Sequence, residues 1–214
     1  MKTIERFYNS FDLEKIKLTK RFQDYLSLEE GKIKNTIKAG RVLDVGCGEG
    51  RIVNLIIGQV EKIYGIDISK KSLNRVKGKY SKEKRINLFH ENSTDTHFEN
   101  NYFDWIVLGW NTLGNLGEDL VPTIKEMKRV LNPRGKIILS VFSEKVLPEY
   151  MKLLEINNLK IQRISNDRVI LANGLISKRF SMTELKKIFN NQNLQVKITK
   201  IAKLFYWCEV KYEK

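Results

Sequence analysis

The chain has 214 residues and a formal net charge of +14 at pH 7. That length allows a single domain over residues 1–214 with a substantial buried core. No apolar run approaches the ~18–20 residues that cross a bilayer, and the N-terminus lacks the apolar block of a signal peptide, so we expect neither a membrane span nor a leader. Cys47 and Cys208 are the only cysteines, which excludes a disulfide-rich scaffold and fits a reducing cytoplasm.

From residue 41 onward, strand-like and helix-like patterns alternate along the chain. The segment before it has apolar residues at helical spacings and predicts an N-terminal helical cap over 1–40. The alternation predicts an α/β fold, with a doubly wound, mostly parallel seven-stranded sheet and helices on both faces. The predicted strands are 42–45, 62–66, 86–89, 104–108, 136–142, 195–201 and 205–212. Between the first five of these strands, the predicted helices are 51–57, 70–80 and 120–131, and a turn at 132–135 with Pro133 and Gly135 ends the last helix.

The alternation stops after the fifth strand. Residues 146–157 predict a helix, and short extended segments around turns follow up to residue 180. Ser181 followed by Glu184 is the capping-box pattern of a helix that ends near Asn190. We therefore expect a cofactor-binding core over 41–143, a small β-rich insertion over 144–180 that serves as a substrate lid, and a final helix and strands over 181–214.

The most informative segment joins the first strand of this core to its first helix, and it reads Val42-Leu43-Asp44-Val45-Gly46-Cys47-Gly48-Glu49-Gly50-Arg51. A glycine-rich turn lets a ligand approach the main chain, and the helix N-terminus behind it offers unpaired N–H groups. Asp67, 21 positions after Gly46, ends the next strand, where its carboxylate can accept hydrogen bonds from ribose hydroxyls. The pattern therefore predicts a nucleotide cofactor.

Two residues separate this segment from a dinucleotide-binding loop. The dinucleotide fingerprint requires glycine at position 51, where this chain has Arg51, and it usually has an apolar residue at the position of Asp44. An NAD-type oxidoreductase is therefore disfavoured.

Residues 42–51 resemble motif I of the class I S-adenosylmethionine-dependent methyltransferases, which has the form hDhGxGxG, where h is an apolar residue. Asp67 matches that family's ribose-binding acid. Glu91-Asn92-Ser93 matches the segment usually written Gly-Asp-Ala, whose acid meets the adenine amine, and Asn92 departs from that acid. Residues 102–107 and 127–136 resemble the family's Phe-Asp strand and its RVLKPGG turn. The resemblance implies S-adenosyl-L-methionine as cofactor, bound by Asp44, Gly46, Cys47, Gly48, Gly50, Asp67, Ile68, Asn92, Ser93 and Gly109.

The loop from Gly109 to Leu116 follows the fourth strand, where this family's substrate pocket opens. It resembles the Gly-Asn-Ser loop of glycine N-methyltransferase-like enzymes, with Trp110 inserted. The resemblance implies substrate contacts from Trp110 and Asn111, and it makes Asn111 a catalytic candidate that orients a polar group. Tyr8 is the second catalytic candidate, because the segment around it resembles one that folds over the cofactor. The structural alternatives are core packing for Trp110, a turn or capping role for Asn111 and an ordinary helix aromatic for Tyr8.

Histidines and metal ligands contribute less to the interpretation. His90 and His97 are the titratable candidates for a general base, although surface or packing roles are favoured for both. No cluster of His, Cys, Asp or Glu has metal-ligand spacing, so we expect no metal.

The primary hypothesis is a cytoplasmic enzyme that transfers a methyl group to a small-molecule nucleophile, an amine, by in-line displacement. The segment 70–85 has eight basic residues against one acid, and with the net charge it supports an RNA (tRNA) methyltransferase as the alternative. A cofactor-binding subunit without catalytic activity is the second alternative.

Overall fold

Strands and helices alternate along the chain in the computed structural model, which describes residues 15–213. The strands are β1 (Arg41–Val45), β2 (Lys62–Asp67), β3 (Ile86–His90), β4 (Phe103–Leu108), β5 (Leu131–Phe142), β6 (Ile161–Ile164), β7 (Arg168–Leu171), β8 (Ile176–Lys178), β9 (Leu194–Ile201) and β10 (Phe205–Tyr212). The α-helices are α1 (Lys20–Thr36), α2 (Arg51–Ile56), α3 (Lys70–Lys79), α4 (Thr112–Asn115), α5 (Leu120–Val130), α6 (Leu147–Ile156) and α7 (Met182–Asn190). Within residues 15–213, no helix combines the length and the apolar character needed to cross a bilayer.

The main sheet has seven strands in the order β3-β2-β1-β4-β5-β10-β9. Strands β1 to β5 are parallel to one another, and β10 runs antiparallel to both β5 and β9. The predicted doubly wound, mostly parallel seven-stranded sheet is therefore confirmed. The strand order reverses between β1 and β4, and in open α/β sheets a ligand crevice forms at the carboxyl ends of the strands at this position.

Two hydrophobic cores lie on the two faces of this sheet, because successive side chains of a strand point to opposite faces. Val42 of β1 packs with α1 and α2 on one face, whereas the adjacent Leu43 packs with α5 and α7 on the other. Ile63 and Tyr64 of β2, like Val107 and Ile106 of β4, divide between the cores in the same way. Both faces of the sheet are thus buried, as parallel strands require.

The insertion forms a second, antiparallel sheet in the order β6-β7-β8. After it, α7 begins as the capping-box pattern predicts, because the Glu184 N–H donates to the Ser181 hydroxyl oxygen at 3.1 Å. Helix and strand bounds elsewhere agree with the predicted ones to within a few residues.

The start of β5 differs from the prediction. The segment 132–135 was expected as a turn before the strand, but β5 already begins at Leu131, which pairs with Phe103. Phe103 pairs with Leu131 and Trp105 pairs with Lys136, so the register shifts between these two pairs and the residues 132–135 form an irregular segment. Within this segment the Arg134 N–H donates to the Asn132 side-chain oxygen. The turn is therefore accommodated inside the paired strand.

Candidate functional site

A cavity of about 550 Å³ opens at the carboxyl ends of β1 to β4, where the strand order reverses. Its described lining combines the glycine loop after β1, the end of β2, the residues after β3 and the loop after β4. Residues from these four places include Gly46, Gly48, Gly50, Asp67, Asn92, Ser93, Gly109 and Trp110.

The glycines of the loop after β1 are required by conformation and by space. Gly46, Gly48 and Gly50 all have left-handed φ angles, of 69°, 51° and 79°. A Cβ atom at Gly46 would lie 3.0 Å from Thr112 Cγ2, and one at Gly50 would lie 2.9 Å from Val76 Cγ1. The loop backbone therefore lies close to its neighbours, and at these three positions it lines the cavity without a side chain.

Asp67 at the end of β2 holds this loop in place. Its carboxylate accepts the Gly48 N–H at 2.8 Å and the Ser69 N–H at 2.7 Å. Burial raises the pKa of the Asp67 carboxyl above its ordinary value, and these two N–H groups oppose the increase. A carboxylate has about four lone-pair sites, so Asp67 keeps capacity for a ligand at the cavity edge.

Asp44, the residue before the last one of β1, is a buried acid without a hydrogen-bond partner within residues 15–213. It is 1% exposed, and among the residues that the structure describes neither carboxylate oxygen has a hydrogen-bond partner. Burial raises the pKa of this carboxyl to about 7, against the opposing charge of Arg51. Because a buried, unpaired carboxylate is costly, a cationic group bound in the cavity would stabilise its charged form.

The loop after β4 has an unusual backbone. Trp110 and Asn111 are consecutive non-glycine residues in the left-handed region, with φ angles of 49° and 57°. Such strain persists only where surrounding contacts impose it, and it concentrates at functional sites. Trp110 lines the cavity, and the centre of its ring lies 5.5 Å from that of Phe22 and 5.7 Å from that of Tyr25, on which it stacks.

Comparisons with known proteins agree with this geometry. Residues 43–139 match the model of a family described as a methyltransferase domain. The PH0226 protein from Pyrococcus horikoshii OT3 has a TM-score of 0.73 at 20% identity, over 97% of this chain and 99% of that one. A 1,6-didemethyltoxoflavin-N1-methyltransferase from Burkholderia thailandensis, solved with bound 1,6-didemethyltoxoflavin and S-adenosylhomocysteine, has a TM-score of 0.64 at 13% identity, over 90% of this chain and 85% of that one.

Residues 43–139 thus form a methyltransferase domain, and the chain has the fold of the class I S-adenosylmethionine-dependent methyltransferases. The resemblance drawn from the sequence motifs is thereby confirmed. A demethylmenaquinone methyltransferase from Staphylococcus aureus (strain JH9) is 29% identical over 144 residues, which are 62% of this chain and 59% of that protein. The chain thus spans about three-fifths of the length of the curated relatives that it matches.

The predicted cofactor-binding residues of this methyltransferase fold all lie around the one cavity. They reach it from four different strand ends, and Trp110, the predicted substrate contact, joins them there. Tyr8 lies outside the described residues. The residues from the prediction that line the cavity are Asp44, Gly46, Cys47, Gly48, Gly50, Asp67, Ile68, Asn92, Ser93, Gly109 and Trp110.

Asn111 differs from its prediction as a substrate-binding and catalytic residue. It is 1% exposed and is not among the described residues that line the cavity. Its Oδ1 accepts the Phe142 N–H at 2.9 Å, and its Nδ2 donates to the Lys178 carbonyl at 3.3 Å and to the Ser177 hydroxyl oxygen at 3.3 Å. Since these protein groups occupy the amide, the turn alternative describes Asn111, which holds the loop after β4 against β5 and β8.

The two histidines are exposed, with His90 at the end of β3 and His97 in the segment after it. His90 Nε2 is 2.9 Å from the Ile68 carbonyl oxygen, and His97 Nδ1 is 2.5 Å from Glu91 Oε1. Neither is among the described residues that line the cavity, as the favoured surface and packing roles imply. Within residues 15–213, no group of three His, Cys, Asp or Glu side chains could hold a metal ion.

Sequence reasoning missed the side chains that join α1 to this site. Glu29 of α1 is fully buried and pairs with Arg51, whose Nη2 lies 2.5 Å from Glu29 Oε2. Arg51 also pairs with Glu30 at 3.1 Å. The only sequence signal was that Glu29 lies on the apolar side of an amphipathic helix, near Phe22, Tyr25 and Ile33, where a carboxylate needs a partner.

Proposed function

We propose that the protein transfers a methyl group from S-adenosyl-L-methionine to a small-molecule amine. The observation that carries the proposal is the buried carboxylate of Asp44, which has no partner among the described residues, beside a glycine-lined cavity at the reversal of the strand order. A cationic, nucleotide-like cofactor fits both parts of this site: the acid takes a positive charge, and the glycine loop takes a group that must approach the backbone closely.

Different residues are proposed to bind different parts of the cofactor. Asp44 holds a cationic group of its amino-acid part, and Asp67 accepts from the ribose hydroxyls. Asn92 and Ser93 flank the base, although the Ser93 hydroxyl is bound to the Thr123 hydroxyl at 2.8 Å, so its main chain is the part that remains for a ligand. The Asn92 amide oxygen accepts the Thr94 N–H at 3.1 Å, and we assign the same oxygen to the adenine amine.

S-adenosyl-L-methionine supplies a methyl group that its sulfonium has already activated. The chain therefore has to bind, orient and exclude water, and an amine that arrives unprotonated needs no general base. We assign Trp110 to the acceptor side as an apolar wall. Ile16, Leu18, Leu26 and Leu55 line the same cavity and offer room for an apolar part of the acceptor.

The charge of the cavity supports an amine acceptor. Arg51 and Lys79 are the two basic side chains in the described lining, within a chain of net charge +14. A concave surface rich in carboxylates concentrates cations and repels phosphates. The acids in the lining are Glu30, Asp44, Glu49, Asp67, Glu91 and Asp119, of which Glu30 and Glu49 are paired with Arg51 and Arg75.

The names of the relatives support a small molecule. The matched Staphylococcus protein is named for demethylmenaquinone, and the Burkholderia structure holds 1,6-didemethyltoxoflavin, which its name says is methylated at N1. The RNA alternative has the net charge and the basic segment 70–85 in its favour, but of the eight basic residues in that segment only Lys79 is among the described residues that line the cavity. We also propose a cytoplasmic location, which the two free, buried cysteines fit.

We also propose the division of the chain into a cofactor-binding core over 41–143, an insertion over 144–180 and a final segment over 181–214, and the role of the insertion is changed in one respect. Among the residues that line the cavity, the structure places none from 144–180. Strand β8 instead packs behind α4, where a Cβ atom at Gly114 would lie 2.7 Å from the Lys178 carbonyl oxygen. We therefore propose that the insertion acts on the acceptor side by supporting the loop after β4, and that any lid movement is transmitted through that loop.

Binding and turnover together test this function. Isothermal titration should detect S-adenosylhomocysteine binding, and Asp67→Ala should weaken it because the ribose acceptor is lost. Release of S-adenosylhomocysteine from S-adenosylmethionine should then be greater with a pool of small amines than with bulk tRNA at low salt. No measurable binding at millimolar ligand would contradict cofactor use, turnover only with tRNA would favour the RNA alternative, and binding without turnover on either pool would favour the non-catalytic one.

The pH dependence of binding tests the role of Asp44. Its pKa in the ligand-free protein is about 7, and a cationic group of the ligand prefers the ionised carboxylate. The affinity for S-adenosylhomocysteine should therefore fall as the pH decreases below about 7, by at most ~10-fold per pH unit, and level off above it. Titrations at several pH values measure this. Asp44→Asn should remove the dependence, and an equal slope in the two proteins would assign it to another group.

A further inference from the structure

Glu29 connects four parts of the fold through one buried carboxylate. Its Oε1 accepts the Tyr25 hydroxyl at 3.0 Å, the Trp110 main-chain N–H at 2.9 Å and the Ser140 hydroxyl, and its Oε2 accepts from Arg51. These donors belong to α1, the loop after β4, β5 and the start of α2. The cost of burying a carboxylate is lowest when its hydrogen-bonding capacity is used in this way.

The pair of Glu29 and Arg51 lies directly against the residues that join the cofactor side to the acceptor side. A Cβ atom at Gly109 would lie 2.9 Å from Arg51 Nη2 and 3.5 Å from Glu29 Oε1. The next residue, Trp110, adopts its left-handed conformation with its N–H directed at Glu29. Because Arg51 follows Gly50 immediately, the pair fixes the distance between the glycine loop and the loop after β4.

We propose that Glu29 is a positioning residue for methyl transfer: it holds the Gly109–Trp110 backbone in register with the glycine loop. Its consequence for catalysis rests on the methyltransferase function proposed above. Glu29 is not among the described residues that line the cavity, whereas Trp110 is. Its loss should therefore displace the acceptor side while the cofactor side, held by Asp67 and β2, keeps its shape.

Two substitutions separate positioning from simple charge pairing. Glu29→Gln keeps an oxygen that can accept the Trp110 N–H but loses the charge opposite Arg51. Glu29→Leu, of similar volume, loses both. If Glu29 positions Trp110, then Glu29→Gln resembles the wild type and Glu29→Leu does not. If only the charge matters, the two variants behave alike.

The test follows Trp110 by fluorine NMR of 5-fluorotryptophan-labelled protein, which has three tryptophans, with Trp110→Phe to assign the signal and Trp105 as internal reference. For Glu29→Leu we expect a displaced or broadened Trp110 resonance, an unchanged Trp105 resonance, and a Kd for S-adenosylhomocysteine within about threefold of the wild type. Glu29→Gln should restore the Trp110 resonance. Asp24→Asn, a substitution of a partly exposed residue on the same helix, is the matched control.

An unchanged Trp110 resonance in Glu29→Leu would overturn the proposal, as would identical spectra of the two Glu29 variants. If Glu29→Leu does not fold, hydrogen exchange of the main-chain N–H of Trp110 in the wild type tests the proposal instead. We expect this N–H to exchange at least ~100-fold more slowly than a free amide, and exchange at the rate of a free amide would overturn the proposal. The spectra of the ligand-free variants test the position of Trp110 and do not depend on the proposed function. The proposed function would fail on a different result, namely that the wild type does not bind S-adenosylhomocysteine.

Discussion

Asp44→Asn is expected to weaken S-adenosylhomocysteine binding and, at the same time, to stabilise the ligand-free protein. The loss of a charge-assisted contact costs ~1.5–3 kcal/mol, which corresponds to a Kd higher by about 10- to 150-fold. The stability of the ligand-free protein should increase, because burial in the folded protein raises the Asp44 pKa from its ordinary value of 3.8 to about 7. Such a group favours folding while it is protonated, and that contribution is lost as the pH rises from about 4 through about 7.

At about pH 8 the folded wild type therefore carries an unfavourable buried charge, which asparagine lacks. We expect Asp44→Asn to gain ~2 kcal/mol there, or a Tm higher by ~4–8 °C, since an unpaired amide still has a cost of its own. Calorimetry of both proteins without ligand measures the gain. Asp67→Asn is the matched control, because Asp67 accepts two main-chain N–H groups and its replacement should lower both affinity and Tm. A lower Tm for Asp44→Asn would contradict the account of Asp44.

Asn111→Ala is expected to destabilise the protein strongly. The Phe142 N–H would lose its acceptor inside the core, and alanine would have to adopt a φ of 57°. An unsatisfied buried donor and an unfavourable left-handed residue together cost ~3 kcal/mol, and the Tm should fall by ~6–12 °C. Thermal unfolding followed by circular dichroism measures this.

Asn101→Ala provides the comparison that isolates the backbone contribution. Asn101 has a φ of 60° and is exposed, so its substitution should cost only ~1 kcal/mol, or about 2–4 °C. If Asn111→Ala lowers the Tm no more than Asn101→Ala does, then the contacts of Asn111 with β5 and β8 do not hold the loop. A folded Asn111→Ala protein with unchanged Tm and lost turnover would return Asn111 to a catalytic role.

The cofactor side of the site could be predicted from the sequence because its determinants are local. Gly46, Gly48 and Gly50 follow a strand directly, and their spacing encodes a turn whose backbone conformation requires glycine. Asp67 ends the next strand, and parallel strands bring their carboxyl ends to the same edge of the sheet. The alternation of strands and helices then placed both at one crevice.

The acceptor side could not be predicted in the same way, because it depends on contacts between distant parts of the chain. The Trp110 N–H reaches Glu29 across 81 residues, and Ser140 reaches it across 111. Asn111 looks like a ligand-binding residue in an Asn- and Gly-containing loop until Phe142 and Lys178 are known to occupy its amide. The early start of β5 likewise follows from its pairing with Phe103 and not from the residues of the turn.

The acidic cavity has a kinetic consequence for ligand entry. A ligand of net positive charge approaches a molecule that carries +14 overall and is repelled until it reaches the carboxylates of the crevice. Dissolved salt limits the range of the repulsion to about 10 Å at 0.1 M ionic strength. It weakens the attraction of a buried acid such as Asp44 much less. Capture of the charged methyl donor should thus become faster as ionic strength rises, the reverse of the usual behaviour for oppositely charged partners.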